Sequence, residues 1–274
     1  MGLFTIDETK CNRDGICVAE CPMKIIEMVD DKSFPVPTAE AEEKCILCGH
    51  CVAVCPHGAF THNQMKSEDF PPINRDWLLS IEQAEQFLRS RRSIRAYKEK
   101  PVEQGHLQQL IEIARYAPTG TNSQLVNWLV VNSRAEVMKL TGMVIDLIKG
   151  MIANDHPMSK RYNLAGFVTA WEQGVDIISR GAPALVMTHA PKEYGLAQVD
   201  CTSALTYFDL AAPTLGLGAC WAGFFMIALS QYQPLIDALA LPEGHGVFGV
   251  MMTGYPRFKY QRMVPRKEPK ITWR

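Results

Sequence analysis

The sequence of 274 residues has almost no net charge, with a formal value of −1 at neutral pH. A chain so close to neutrality lacks a general attraction for polyanions, which argues against a nucleic-acid-binding protein. Its first residues have neither a basic start nor an apolar stretch, so they do not have the pattern of a secretory signal peptide. We therefore expect a cytoplasmic protein.

Long uncharged stretches are also scarce. Residues 210–229 form one stretch without charge that is long enough to cross a bilayer. It contains one proline and three glycines, it has no flanking basic anchors, and Asp209 precedes it directly. A buried helix that leads into a glycine-rich turn and a strand explains the stretch better, so we expect no membrane span.

Cysteine is concentrated at one end, because seven of the nine cysteines fall within the first 55 residues. Without a secretory signal, this number favours metal or redox chemistry over disulfides. Charge is uneven as well, since residues 1–62 are acidic on balance and residues 257–274 are basic. The basic tail is either a solvated face or a contact for an anion such as a phosphate.

Two cysteine motifs occupy this acidic segment. The second is Cys45-Ile-Leu-Cys48-Gly-His-Cys51-Val-Ala-Val-Cys55-Pro, which has the C-x2-C-x2-C-x3-C-P spacing of bacterial ferredoxins. The first is Cys11-Asn-Arg-Asp14-Gly-Ile-Cys17-Val-Ala-Glu-Cys21-Pro, in which an aspartate stands in place of the second cysteine. Residues 1–62 thus resemble a two-cluster ferredoxin with one departure.

The ferredoxin resemblance implies that each motif lends its last cysteine to the cluster of the other motif. One cluster would then be a [4Fe–4S] cluster held by Cys21, Cys45, Cys48 and Cys51. The other would be held by Cys11, Cys17 and Cys55, with Asp14 as a candidate fourth ligand. A carboxylate is a harder donor than a thiolate, so this second cluster is either a [4Fe–4S] cluster with Asp14 or a labile one that becomes [3Fe–4S]. A zinc site is the alternative, but zinc takes four ligands and would leave three cysteines idle.

The remaining sequence predicts a linker and a larger domain. Residues 63–80 are polar and contain Pro71-Pro72, which disfavour helix and strand. From residue 81 to residue 274, helical spacing of apolar residues alternates with buried-strand patterns at 125–131, 184–187 and 246–253. The sequence therefore predicts an iron–sulfur domain at 1–62, a linker at 63–80 and an α+β or α/β domain at 81–274.

Three segments of the larger domain have residues suited to binding a ligand. Arg91-Arg92-Ser93-Ile94-Arg95 can bind a phosphate, although a solvated basic face would have the same composition. Residues 117–124 form a small, polar loop that offers Thr119, Asn122 and Gln124. Residues 216–224 are rich in glycine and can present backbone N–H groups, although plain core would also fit.

Together and in this order, the three segments resemble the FMN-dependent nitroreductase family over residues 81–274. The resemblance implies an α+β sandwich that forms a homodimer with FMN at the interface. Arg91, Arg92 and Ser93 would bind the FMN phosphate, and Arg95 would contact the ribityl chain or the pyrimidine edge. The implied flavin contacts are Thr119, Asn122 and Gln124 from a second copy, the backbone N–H groups of Ala222 and Gly223, and the tail residues Arg262 and Arg266 at the phosphate.

The two resemblances together predict an oxidoreductase that passes electrons from iron–sulfur clusters to FMN and then to an organic acceptor. A nitroaromatic, a quinone or an activated alkene would serve as the acceptor, and a ferredoxin or an NAD(P)H-linked reductase as the donor. No side chain is predicted as a catalytic acid or base. The alternatives are a flavoenzyme similar to a reductive dehalogenase and a redox sensor or electron-storage module without a substrate of its own.

Overall fold

The computed structural model describes residues 2–274 and divides the chain into two compact units. The first unit contains residues 2–78 together with Thr121–Ser123, and the second contains Leu79–Gly120 and Gln124–Arg274. The division after residue 78 falls inside the predicted linker 63–80. Within residues 2–274, no helix is long and apolar enough to cross a membrane.

The first unit is built from short elements around a small apolar core. Phe4 and Phe60 lie at its centre, with ring centroids 4.5 Å apart, on two strands that pair antiparallel. A second pair of short strands is also antiparallel. The elements are β1 (Phe4–Ile6), α1 (Ile16–Glu20), β2 (Ile26–Glu27), β3 (Val36–Pro37), α2 (Ala41–Lys44), α3 (His50–Ala53) and β4 (Phe60–His62).

The backbone of the first unit repeats itself. Left-handed φ angles occur at Arg13, Gly15 and Lys24, and again thirty-four residues later at Leu47, Gly49 and Gly58. Gly15 and Gly49 each cap the helix that carries a ligand cysteine, with φ of 69° and 72°. The two cysteine motifs therefore have one conformation, in which Asp14 corresponds to Cys48.

The second unit contains a four-stranded antiparallel sheet, in the order β5-β6-β8-β7. The strands are β5 (Asn127–Val131), β6 (Ala184–Pro191), β7 (Gly218–Trp221) and β8 (His245–Gly254). The central pair is long, with Leu185 opposite Met252, and a bulge interrupts it between Thr188 and His189. All three strands predicted from apolar runs are present.

Helices cover both faces of this sheet, which explains why consecutive residues of β6 are apolar on both faces. Leu185 and Met187 belong to one core cluster with α6, whereas Ala184 and Val186 belong to another with α5 and α9. The helices are α4 (Ile81–Ser90), α5 (Gln104–Ala114), α6 (Arg134–Ala153), α7 (Pro157–Arg161), α8 (Leu164–Glu172), α9 (Ala197–Ala211), α10 (Gly223–Leu229) and α11 (Gln233–Ala238). The predicted α+β sandwich is confirmed, and the uncharged stretch 210–229 runs from the end of α9 through β7 into α10.

Candidate functional site

The cysteines of the first unit surround two separate cavities. One cavity is lined by four thiols, those of Cys21, Cys45, Cys48 and Cys51. The other is lined by Cys11, Asp14, Cys17 and Cys55. Each set takes three residues from one motif and one from the other, as the ferredoxin resemblance implies. Across residues 2–274, no three His, Cys, Asp or Glu side chains come close enough to hold a single metal ion, and these donors are instead spread around the cavity walls.

Apolar surroundings change the acidity of these thiols. Burial raises the pKa of Cys51 to about 12, and it raises the pKa of Cys17 as well. Such thiols keep their protons at neutral pH in the free protein, so bound iron has to displace those protons. Thiolates are the ligands that iron–sulfur clusters use, and the residues present fit two such clusters.

Asp14 lies in the wall of its cavity with both oxygens near polar groups. Its Oδ1 accepts a hydrogen bond of 3.1 Å from the backbone N–H of Ile16. Its Oδ2 lies 3.8 Å from Nε2 of His57, which is also 3.0 Å from the amide nitrogen of Asn12. The carboxylate is thus placed where Cys48 stands in the other motif, and its ligation of iron remains a prediction.

His62 is a buried side chain in the wall of the all-cysteine cavity, and sequence reasoning missed it. Only 3% of its surface is exposed, and its Nε2 lies 3.5 Å from Sγ of Cys45. Its Nδ1 accepts a hydrogen bond of 3.2 Å from the backbone N–H of Gln64. No short motif signals this contact, because seventeen residues separate the histidine from the cysteine.

In the second unit, Arg91 and Arg92 line a cavity of about 450 Å³. This volume lies within the range of about 300–1,000 Å³ that is usual for small-molecule sites. Arg91 is held by Asp209, with Nη1 3.1 Å from Oδ2. Arg92 lies over the ring of Tyr260, and its buried Nε has no hydrogen-bond acceptor among residues 2–274. An unpaired buried donor is costly, so this side chain fits an anionic ligand such as a phosphate.

Tight backbone packing holds the arginine segment in place. The N–H of Ile94 donates to the carbonyl oxygen of Ala219 in β7 at 3.0 Å. A Cβ atom at Gly218 would lie only 2.3 Å from Cγ1 of Ile94. The glycine at 218 is therefore needed for β7 to approach the arginine segment, which is a reason that the sequence pattern alone did not reveal.

The predicted polar loop has a strained backbone. Thr121, Asn122 and Gln124 have left-handed φ angles of 50°, 54° and 50°. The hydroxyl of Thr119 accepts a hydrogen bond of 3.1 Å from the N–H of Gln124. Strain of this kind in residues other than glycine is characteristic of functional loops.

Two further contacts involve this loop. The N–H of Gly120 donates to the buried carboxylate of Asp200 at 3.2 Å and 3.3 Å, and Asp200 also accepts from the hydroxyl of Tyr194 at 2.7 Å. Within the first unit, the amide of Asn122 donates to the carbonyl oxygens of Ile46 and Leu47, both at 3.0 Å. The sequence did not predict these partners of Asn122, and its flavin contact remains a prediction.

The glycine-rich segment differs from the prediction at Ala222. The N–H of Ala222 donates to the carbonyl oxygen of Val250 at 2.9 Å, so it is not available to a flavin as expected. Gly223 opens α10, where an N–H has no acceptor in its own helix. A Cβ atom at Gly223 would meet no atom of residues 2–274 within 4 Å, so there is open space beside it for a ligand. Gly223 therefore remains the candidate backbone donor.

The other predicted residues lie outside the main cavity. Ser93 is partly buried and its carbonyl accepts from Arg95, which lines a smaller cavity of about 90 Å³. Arg262 and Arg266 are exposed. Lys98 and Lys259 line the main cavity instead, and neither was singled out from the sequence.

Comparison with known proteins identifies both parts of the chain. The model of the nitroreductase family matches residues 88–255, and that of the 4Fe-4S dicluster domain matches residues 9–60. A protein of Archaeoglobus fulgidus provisionally named NADH dehydrogenase/NAD(P)H nitroreductase is 24% identical over 181 residues, which is 65% of this chain and 87% of the relative. The "Ferredoxin 7Fe" of Hydrogenibacillus schlegelii is 34% identical over 77 residues, covering 28% of this chain and 83% of the ferredoxin.

Solved structures give the same result for the second unit. A nitroreductase of Desulfitobacterium hafniense with bound FMN is 26% identical and superposes with a TM-score of 0.55. The match covers 69% of this chain and 96% of that structure.

Proposed function

The chain belongs to the nitroreductase family and carries a 4Fe-4S dicluster domain, and on this premise we propose that it is an FMN-dependent oxidoreductase fed with electrons by its own iron–sulfur clusters. The acceptor would be a small organic molecule such as a nitroaromatic, a quinone or an activated alkene. When bound, the clusters would supply single electrons and FMN would deliver them in pairs. The observation that carries the proposal is the pair of cavities lined by cysteines in a chain whose second unit has the nitroreductase fold.

The chain's own residues would hold each cluster in a different way. Cys21, Cys45, Cys48 and Cys51 would hold a [4Fe–4S] cluster through four thiolates. Cys11, Cys17 and Cys55 would hold the other through three thiolates, with Asp14 at the fourth corner. The similarity to a ferredoxin named for seven irons supports a second cluster that is poorer in iron or loses it easily.

FMN would be bound by the second unit. The Nε of Arg92, which finds no acceptor in the part of the chain that the structure describes, supports a charge-assisted hydrogen bond to the phosphate, and Arg91 and Ser93 would assist there. Arg95 would add positive charge near the pyrimidine edge, which favours a reduced, more negative ring. Thr119, Asn122 and Gln124 of a second copy and the N–H of Gly223 would contact the ring, and Arg262 and Arg266 would approach the phosphate.

The predicted homodimer is supported by apolar surface that residues 2–274 of one copy leave exposed. Helix α4 has no buried residue, even though it carries large apolar side chains. Ile81 is 77% exposed and Leu88 is 55% exposed. Further exposed apolar residues in the tail are Phe258, Tyr260, Met263, Val264, Ile271 and Trp273. An amphipathic helix that buries nothing is expected to be covered in the assembled protein.

Light scattering after size-exclusion chromatography tests the homodimer. The wild type should have twice the mass of one chain, and Leu88→Glu should shift it toward a monomer that loses flavin. Gln86→Glu on the same helix is the matched control, since it adds the same charge at a polar position. A wild type that stays monomeric would contradict the dimer.

The electron route is tested by anaerobic spectroscopy of the intact chain. Iron, sulfide and flavin are counted per chain, and the clusters are then reduced with a one-electron donor. We expect the FMN absorbance to bleach, and addition of an acceptor should restore it. Clusters that become reduced while FMN stays oxidised would overturn the route, and bleaching without turnover of any acceptor would favour a redox sensor.

A further inference from the structure

We propose that His62 raises the reduction potential of one cluster only, the one held by Cys21, Cys45, Cys48 and Cys51, by donating a hydrogen bond to Cys45. The inference rests on the proposed assignment of that cluster. It adds a tuning residue outside the cysteine motifs and predicts a difference between the two clusters of the chain.

The two nitrogens of the ring have different partners. The backbone N–H of Gln64 points at Nδ1 of His62, so Nδ1 acts as an acceptor and carries no proton. In a neutral imidazole the proton then lies on Nε2. This is the nitrogen 3.5 Å from Sγ of Cys45, so the geometry gives an N–H···S hydrogen bond.

The position of His62 is held by its strand and by the turn that follows. His62 pairs with Phe4 in the antiparallel β1–β4 ladder. The N–H of Asn63 donates to the carbonyl oxygen of Leu3 at 3.0 Å. In the turn, the N–H of Met65 donates to the carbonyl oxygen of His62 at 3.1 Å. Because the side chain is also buried, water does not compete for its N–H group.

A hydrogen bond to a ligand sulfur has a known direction of effect. It draws negative charge from the sulfur and so stabilises the reduced cluster, which carries one more electron. Removing the donor should therefore lower the reduction potential. No proton or ligand is exchanged in this step, since the cluster gains or loses one electron with the hydrogen bond in place.

The internal repeat makes the effect specific to one cluster. Thirty-four residues before His62, the corresponding position is Met28, whose side chain offers no N–H group. A Cβ atom at Gly15 would lie 4.0 Å from Sδ of Met28, so this side chain lies beside the first motif. The cluster of Cys11, Cys17 and Cys55 therefore lacks this donor and acts as an internal standard in the same molecule.

The test is a redox titration of both clusters in the intact, anaerobically purified chain, followed by EPR. We expect His62→Leu to lower the midpoint potential of the all-cysteine cluster while the other cluster is unchanged. A tenfold change in the ratio of reduced to oxidised cluster at fixed potential corresponds to about 59 mV for one electron. His62→Gln, which keeps an N–H donor, should recover part of the shift.

The matched control is His50→Gln. His50 belongs to the same motif, but its ring lies 3.3 Å from the carbonyl oxygen of Cys48 rather than at a ligand sulfur. We expect this variant to titrate as the wild type does. If His62→Leu does not retain iron, the wild type labelled with ¹⁵N-histidine still tests the contact, because pulsed EPR should show a nitrogen coupling at the reduced all-cysteine cluster that is absent from the His62→Gln variant.

The outcomes distinguish a failure of the proposed clusters from a failure of the proposed role of His62. A wild type that lacks iron and sulfide would overturn the proposed clusters and this inference with them. A wild type with both clusters, in which His62→Leu shifts neither cluster or shifts both equally, would overturn the role of His62 alone.

Discussion

Arg91 and Asp209 form an ion pair between residues 118 positions apart, with Arg91 Nη1 3.1 Å from Asp209 Oδ2. The Asp209 side chain is only 9% exposed. The pair ties the end of α4 to α9 and commits one of the predicted phosphate-binding arginines to a structural contact. Arg92, whose Nε has no hydrogen-bond acceptor among the described residues, is left as the stronger candidate for the phosphate.

Arg91→Leu should lower the free energy of unfolding by roughly 3 kcal/mol, because it leaves a buried carboxylate without its partner. Burial raises the pKa of Asp209 even with Arg91 present, so the folded chain binds this proton more tightly than the unfolded chain. The free energy of unfolding of the variant should therefore fall as pH rises through the pKa of Asp209. Urea unfolding at several pH values measures the effect.

The double variant Arg91→Leu/Asp209→Asn is the control for this ion pair. It removes the Asp209 carboxylate as well as the Arg91 guanidinium, so no unpaired charge is buried. The double variant should therefore be more stable than Arg91→Leu at neutral pH, and its free energy of unfolding should lose the dependence on pH. Equal stability of Arg91→Leu and the wild type at every pH would contradict the pairing.

Arg92→Gln should weaken FMN binding by about 10- to 100-fold, the loss expected for one charge-assisted hydrogen bond. Fluorescence titration of the flavin-free protein gives the dissociation constant. Arg115→Gln is the control, since Arg115 is exposed, does not line the main cavity, and contacts Glu112 and Tyr116 at the C-terminal end of α5. An unchanged dissociation constant for Arg92→Gln would show that Nε of Arg92 does not bind the FMN phosphate.

Gly218→Ala should destabilise the second unit by about 1–3 kcal/mol and reduce flavin occupancy. The added Cβ would lie 2.3 Å from Cγ1 of Ile94, so it pushes the arginine segment away from β7. Thermal unfolding and the flavin content of purified protein measure both effects.

Two controls separate this clash from a general effect of alanine. Ile94→Ala in the same chain should restore part of the stability, because it removes the clashing atom. Gly105→Ala should cost little, since a Cβ there meets none of the described atoms within 4 Å. A Gly218→Ala variant that matches Gly105→Ala would contradict the packing argument.

Asp14→Cys should make the second cluster resistant to air. The substitution completes a set of four thiolates around the cavity of Cys11, Cys17 and Cys55, and thiolates hold iron more firmly than a carboxylate does. EPR after timed exposure to air should show a [3Fe–4S] signal in the wild type and much less of it in the variant. Two inert, equivalent [4Fe–4S] signals in the wild type would refute the lability of this cluster.

Asp200→Ala should loosen the loop at 118–124. The substitution removes the acceptor for the N–H of Gly120 and the hydroxyl of Tyr194, at a cost of roughly 1–3 kcal/mol. Hydrogen exchange should become faster in this loop and stay unchanged in β6, and flavin affinity should fall if the loop contacts the ring. Unchanged exchange in the loop would show that Asp200 does not hold it.

Local patterns predicted much of this protein. The spacing of the cysteines resembles that of a two-cluster ferredoxin, and this resemblance predicted the two sets of residues that line the two cavities. Apolar runs located β5, β6 and β8, helical spacing of apolar residues located α5 and α6, and three short segments in order resembled the nitroreductase family.

The amino-acid sequence alone thus determined the two cysteine motifs, the main apolar elements and the family resemblance, since each is a pattern of residue types along the chain. Tertiary structure decided which partner each polar group finds. Asp209 forms an ion pair with Arg91, and the carbonyl oxygen of Val250 accepts a hydrogen bond from the N–H of Ala222. Sγ of Cys45 lies beside Nε2 of His62. None of these partners is adjacent in sequence. Burial and close packing select such partners across long separations, and no local pattern encodes them.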